Sequence, residues 1–178
     1  GTFGVRKIIP NSPQESARTA VEVSMNCPCP VNLNYTSQAA LNGFLTQYSH
    51  CTTISGNINL SEGISDLSPL QNLQSIGGYL AIENTALENL NGLSVLHTIG
   101  GTLAISNNAQ LRELTGLSGL TEIKGALNIY DNAKLQSLAG LSSLEKVGED
   151  WAGMSIEDNP QLMSLAGLAA LKSVGGEL

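Results

Sequence analysis

From Cys51 onward the chain repeats itself every 22 to 27 residues, and no other feature constrains its fold as tightly. Each copy opens on an Ile/Val-x-Gly-x-Leu/Ile-x-Ile/Leu pattern. The series reads Ile54-Gly56-Ile58-Leu60, Ile76-Gly78-Leu80-Ile82, Ile99-Gly101-Leu103-Ile105 and Ile123-Gly125-Leu127-Ile129. A fifth copy starts at Val147 and resumes at Met154 and Ile156; a sixth starts at Val174-Gly176-Leu178. Apolar residues at spacing two specify a short strand with one buried face. In four copies an Asn-x-x-Leu follows, at Asn84, Asn108, Asn132 and Asn159. Leucines then recur every third residue, as in Leu111, Leu114, Leu117 and Leu120.

A leucine every third residue does not make a long helix. On an α-helix, steps of three drift about 60° each, so four leucines spread over half the surface. A breaker also sits at the same place in each copy: Pro69, Gly92, Gly116, Gly140 and Gly167. Recurrent Pro or Gly marks a turn. The spacing predicts a coil that turns several corners and points one leucine inward at each. One coil cannot bury its own apolar residues, but stacked coils can, at about 4.8 Å per layer. The expected fold is therefore a mainly β, β-helix-like solenoid of five to six rungs over residues 51–178, with a continuous Leu/Ile core. The corner asparagines predict a stack whose side-chain amides bond the backbone of adjacent rungs.

The open ends of a solenoid expose core and sheet edge, so caps are expected. Residues 36–50 read as a helical N-terminal cap: Leu41, Phe44, Leu45 and Tyr48 fall on one helical face, and Thr36 or Ser37 can cap its start. At the far end Leu178 falls in mid-repeat, and the expectation is a solenoid truncated there. Residues 1–35 read as an extended N-terminal arm. Cysteines occur only near the capped end, at Cys27, Cys29 and Cys51. Cys51 opens the first rung, so a bridge to Cys29, with Cys27 as the alternative, would pin the cap. A disulfide implies an extracytoplasmic setting: secretion, a cell surface or an oxidising organelle lumen. The rival reading is a metal site of Cys27, Cys29, His50 and Cys51. Cys-Pro-Cys is not the usual zinc spacing, and no cofactor is expected. Asn34 and Asn59 head Asn-x-Ser/Thr glycosylation sequons.

Composition removes other classes. Apolar residues make up 42% and charged residues 13%, the opposite of a disordered chain. No apolar run approaches the ~18 residues of a membrane span. Residues 51–178 carry five basic and thirteen acidic side chains, net −8, which argues against nucleic acid as a partner. Asp131 and Asp158 sit at equivalent corners, and paired carboxylates can do acid–base work. Both precede a corner Asn, where Asp is an ordinary turn residue, and no nucleophile with a base or Gly-rich phosphate loop accompanies them. The chain is not expected to be an enzyme.

The stretch from Cys29 through the amphipathic segment to Cys51-Thr-Thr-Ile-Ser-Gly-Asn-Ile-Asn-Leu resembles the start of a receptor L domain. These are the leucine-rich, β-helix-like modules of insulin-receptor and epidermal-growth-factor-receptor ectodomains. Related repeats occur in surface proteins of microbes and protists. The resemblance covers roughly Cys27 to Leu178 and extends to leucine-rich repeat proteins in general. It implies a right-handed solenoid with a protein-binding face and no catalytic activity. It transfers no ligand.

The expected contact face follows from strand alternation. Outward positions read Asn57, Tyr79, Thr102, Ala126, then Asn59, Ala81, Ala104, Asn128, Ser155, then Ser61, Glu83, Ser106, Tyr130, Glu157. The last column is a mildly acidic strip. Tyr79, Glu83, Tyr130 and Glu157 are candidate partner contacts. So is Trp151, in an insertion of about three residues in the fifth repeat, where solenoids often place binding loops. Arg6 and Lys7 on the arm would suit an acidic partner surface. Two readings follow. One is a protein-recognition module of a secreted or cell-surface protein, binding through the sheet face. The other is a structural or scaffold subunit, held in a large assembly through its arm and open end.

Overall fold

The structure, a computed structural model, describes residues 28–149 and 153–175. Two six-stranded parallel sheets run along the repeats. The wider sheet, sheet A, is built from β1 (Leu33–Ser37), β3 (Ile58–Gly63), β5 (Leu80–Glu83), β7 (Leu103–Ser106), β9 (Leu127–Tyr130) and β11 (Met154–Glu157). The narrower, sheet B, uses two-residue strands: β2 (Thr53–Ile54), β4 (Ser75–Ile76), β6 (Thr98–Ile99), β8 (Glu122–Ile123), β10 (Lys146–Val147) and β12 (Ser173–Val174). Each strand pairs with its counterpart in the next repeat, in register except for one shift between Tyr35 and Ser37 where β1 meets β3. Leu80, Leu103 and Leu127 stand side by side, as do Ile82, Ile105 and Ile129. The fold is mainly β and solenoid-like, as the in-phase repeat requires.

The recurring leucines do what their spacing predicts. Leu111, Leu114, Leu117 and Leu120 are all fully buried, one at each corner of the coil. The breakers mark short 3-10 turns at Ser68–Leu70, Thr115–Leu117, Ala139–Leu141 and Ala166–Leu168. Glycine is required at this corner because repeats stack backbone on backbone. A Cβ on Gly140 would stand 1.6 Å from the Leu114 carbonyl oxygen. The second repeat turns instead through Gly92, at φ +108°.

The single α-helix among the described residues, α1 (Gln38–Tyr48), lies against the first repeat. Ser37, not Thr36, is its N-cap, and its hydroxyl accepts from the Ala40 amide. Leu41 and Phe44 are buried and Tyr48 is half-buried, but Leu45, expected on the same face, is exposed. The buried stripe is narrower than the pattern suggested. Gln38 ties the helix to the corner below: its Oε1 accepts from the Ser65 and Asp66 amides, and its Nε2 donates to the Asp66 carbonyl. β1 begins at Leu33, inside the stretch read as an arm, and pairs with β3. The remaining features read in the arm, up to Cys27, lie outside the described residues. At the opposite end Met163, Leu165 and Val174 are exposed apolar side chains.

The asparagine stack exists, with one correction. Asn108, Asn132 and Asn159 form it. Asn108 Nδ2 donates to the Ile82 carbonyl and its Oδ1 accepts from the Thr85 amide; Asn132 repeats this with Ile105 and Asn108. Asn84 is not a member. Register places it beside Asn107, and both have positive φ, in one column with Glu62, Asp131 and Asp158. Thr85 occupies the stack position and gives its hydroxyl to Asn108 Oδ1. The second repeat is one residue shorter between this corner and Leu87, so its Asn-x-x-Leu is out of phase with the others.

Candidate functional site

The outward face of sheet A is built by alternation. With Leu80 and Ile82 pointing into the core, Ala81 and Glu83 point out. Register then lines up Asn59, Ala81, Ala104, Asn128 and Ser155 in one column and Ser61, Glu83, Ser106, Tyr130 and Glu157 in the next. The candidates Tyr79, Glu83, Tyr130 and Glu157 therefore share one face. Tyr79 and Tyr130 are each more than a third exposed, and Glu157 is exposed. Ser106 departs from expectation. It is buried, and its hydroxyl has no hydrogen-bond partner among the described residues. A short side chain between Glu83 and Tyr130, one strand spacing from each, is shielded by its taller neighbours.

Next to the Gly78–Gly101 column the face sinks into an open depression of about 580 Å³, lined by Tyr79, Ala81, Glu83, Ala104 and their neighbours. Tyr79 is held from two sides. Its amide donates to Asn57 Oδ1 and its hydroxyl accepts from Asn59 Nδ2 at 2.9 Å. Asn32 does for Asn57 what Asn57 does for Tyr79, accepting the next amide at 2.7 Å. This shorter amide ladder was missed in the sequence because Asn32 lies ahead of the repeat. Its only signal is the Val-Asn-Leu-Asn alternation.

Among the described residues the ion pairs lie on the sheet B side: Lys146 with Glu122 at 3.2 Å and Glu149 at 3.4 Å, Lys124 with Glu149, and Lys172 with Glu145. The two carboxylates hold the Lys146 ammonium above its usual pKa. In the columns of the sheet A face there is no lysine or arginine, and among the described residues neither a hydrogen bond nor an ion pair reaches the Glu83 carboxylate. Tyr35, on the edge strand β1, titrates above the ordinary tyrosine value, first through burial and then through the charge of Tyr48.

The cysteine site is a disulfide, Cys29–Cys51, with its Cα atoms 5.7 Å apart. His50 Nε2 lies 3.5 Å from Cys51 Sγ, so three donor residues of the rival metal reading do meet. With both sulfurs joined to each other, neither is a thiolate ligand. Cys27, Trp151, Arg6 and Lys7 lie outside the described residues. The sequons fall together: Asn34 on β1 faces Asn59 on β3. Among the described residues, no helix is long and apolar enough to cross a membrane.

Among curated proteins no sequence matches this one. Residues 50–115 match the family model of the receptor L domain. That stretch begins beside the bridge cysteine and runs through the Tyr79–Glu83 depression to the 3-10 turn at Thr115. Over those residues the chain is receptor L domain-like.

Proposed function

We propose that this chain is a non-enzymatic recognition module of a secreted or cell-surface protein and that it binds a protein partner through the outward face of sheet A. The observation that carries this is the register. It sets Tyr79, Glu83, Tyr130 and Glu157 on one continuous surface, where tyrosines supply contact area at low entropic cost. The receptor L domain match supports a ligand-binding role, and the disulfide fits an oxidising compartment. In this reading the solenoid is right-handed, has five to six rungs, and serves as a stiff frame for the face.

The exposed Met163, Leu165 and Val174 favour a second reading, in which the chain is a scaffold subunit gripped through its last repeat. Amide exchange on material from the native source, before and after dissociation of whatever is bound, separates the two. Protection along 79–83, 127–130 and 154–157 is the expected result. Protection confined to 162–175 would replace the face by the end. Tyr130→Ala combined with Glu157→Ala should weaken association about tenfold or more if the face is used.

A further inference from the structure

We infer that the Tyr79–Glu83 depression is a seat for an arginine side chain of the protein partner. This rests on the reading that sheet A is the contact face, and it names the chemistry that face recognises.

The floor of the depression is small and flat. Ala81 and Ala104 stand side by side on adjacent strands. One wall is the Tyr79 ring. Its hydroxyl is held by Asn59, and Asn59 pairs with Ala81. The ring is therefore drawn along the strand toward the level of Ala81 and leans to the β3 side, which leaves Ala104, on the opposite neighbour β7, uncovered beside it. Tyr79 and Glu83 are four residues apart, about 13 Å along a strand, and the ring spans part of that. What remains is a slot between an aromatic edge and a carboxylate. That carboxylate has no partner among the described residues, and no basic side chain stands in the columns around it.

Each part selects for arginine. A methylene stem lies well on alanine methyl groups. A planar, weakly hydrated guanidinium stacks against a tyrosine and forks onto a carboxylate. Lysine meets the charge but not the plane. An acidic side chain meets an uncompensated anion. A neutral polar group leaves Glu83 as it was. The face as a whole repels anions, since Glu157 is its other charged member. Among the described residues, the sheet B side, whose lysines are already paired with glutamates, offers no comparable unpartnered anion beside an aromatic ring.

The probes are a short glycine-flanked arginine peptide and its citrulline counterpart, which keeps the shape and loses the charge. Binding is followed by methyl NMR at Ala81 and Ala104. The expected result is saturable shifts at these two methyls with the arginine peptide. The citrulline peptide should bind about tenfold more weakly. Glu83→Gln should remove most of that difference, and Tyr79→Leu should weaken arginine binding while sparing the fold. Glu88→Gln, an exposed carboxylate off the sheet A face, should leave the affinity within about twofold. Equal binding of arginine and citrulline peptides would overturn the proposal. So would shifts that never saturate, or an equal loss in Glu83→Gln and Glu88→Gln, which would show general acidity rather than a seat. Failure of the face reading looks different. In that case the native partner leaves 79–83 unprotected, whatever the arginine peptide does. A partner that protects 79–83 yet binds Glu83→Gln as well as the parent would overturn the arginine seat and leave the face reading standing.

Discussion

The first and the last described repeats are made from the same kind of residues and are buried differently. Leu114, Leu138 and Leu165 hold equivalent positions, each just before a 3-10 turn. The first two are fully buried and the third is 56% exposed. The difference is not in the leucine. Among the described residues Leu114 and Leu138 have a repeat stacked on both sides and Leu165 has one. At the opposite end of the described solenoid α1 packs against the first repeat. It covers the first coil with Leu41 and Phe44, satisfies the corner amides through Gln38, and is tethered by Cys29–Cys51. Burial in a stacked architecture is thus conferred by a neighbour rather than by a local sequence. The sharpest test compares one substitution at two places. Leu114→Ala should cost about 3 kcal/mol, as a cavity in a closed core. Leu165→Ala should cost less than about 1 kcal/mol, as a change at a surface. Urea unfolding of both variants measures this, and equal losses would mean that the last repeat is as well packed as the middle.

The capped end depends on its tether. Closing a loop across a sequence separation of 22 residues should stabilise by about 3 kcal/mol in the chain-entropy model. Reduction, or Cys29→Ser with Cys51→Ser, should lower the midpoint of unfolding. Exchange protection should be lost first in β1 and α1, while β9 and β11 keep theirs. If protection falls evenly along the chain, the cap and the solenoid unfold as one unit and the contrast between the ends disappears.

The asparagine stack gives a finer comparison. Asn132 is fully buried and bonds repeats on both sides. Asn159 is half-buried and bonds only backward, among the described residues, apart from its own turn. Asn132→Ala strands a buried amide and a carbonyl and should cost about 2 kcal/mol; Asn159→Ala should cost about half as much. A larger loss at Asn159 would show that the outer repeat is the more tightly held.

Much of this was legible because the repeat is in phase. Spacing two gave the strands, spacing three gave the corners, and aligning the copies gave the face columns. Legibility failed where phase slipped. Asn84 matched Asn-x-x-Leu, yet Thr85 holds the stack, because a deleted residue between corner and leucine cannot be seen from the motif itself. Ser106 was read as outward from alternation alone, which says where a side chain points but not how tall its neighbours are. The depression beside Tyr79 needed the Asn59 contact, a cross-strand fact with no local signature. Of the two cysteines able to reach Cys51, position on the cap left the choice open, and the structure shows Cys29.

The smallest effect separates the ends by pH. Tyr35 lies at the capped end and Lys146 beyond the middle, and both hold their protons more tightly in the fold than in the unfolded chain. The sign is the same for both. Below about pH 10 each is protonated in either state and its contribution is complete. As pH rises through the unfolded value, the unfolded chain loses protons first, and stability falls until the folded value is passed. For Tyr35 the folded state resists an anion that burial disfavours. For Lys146 it loses a cation that Glu122 and Glu149 hold in place. Thermal melts between pH 9 and pH 11 should therefore decline, and Tyr35→Phe should flatten part of that decline without changing stability near neutrality. The Lys146 shift comes from contacts to charged groups, which salt screens, whereas the Tyr35 shift comes first from burial, which salt leaves in place. Added salt should accordingly shrink the portion of the alkaline loss that Tyr35→Phe leaves behind. If salt instead removes the portion that Tyr35→Phe removes, Tyr35 is governed by the neighbouring charge of Tyr48 rather than by its place under the cap.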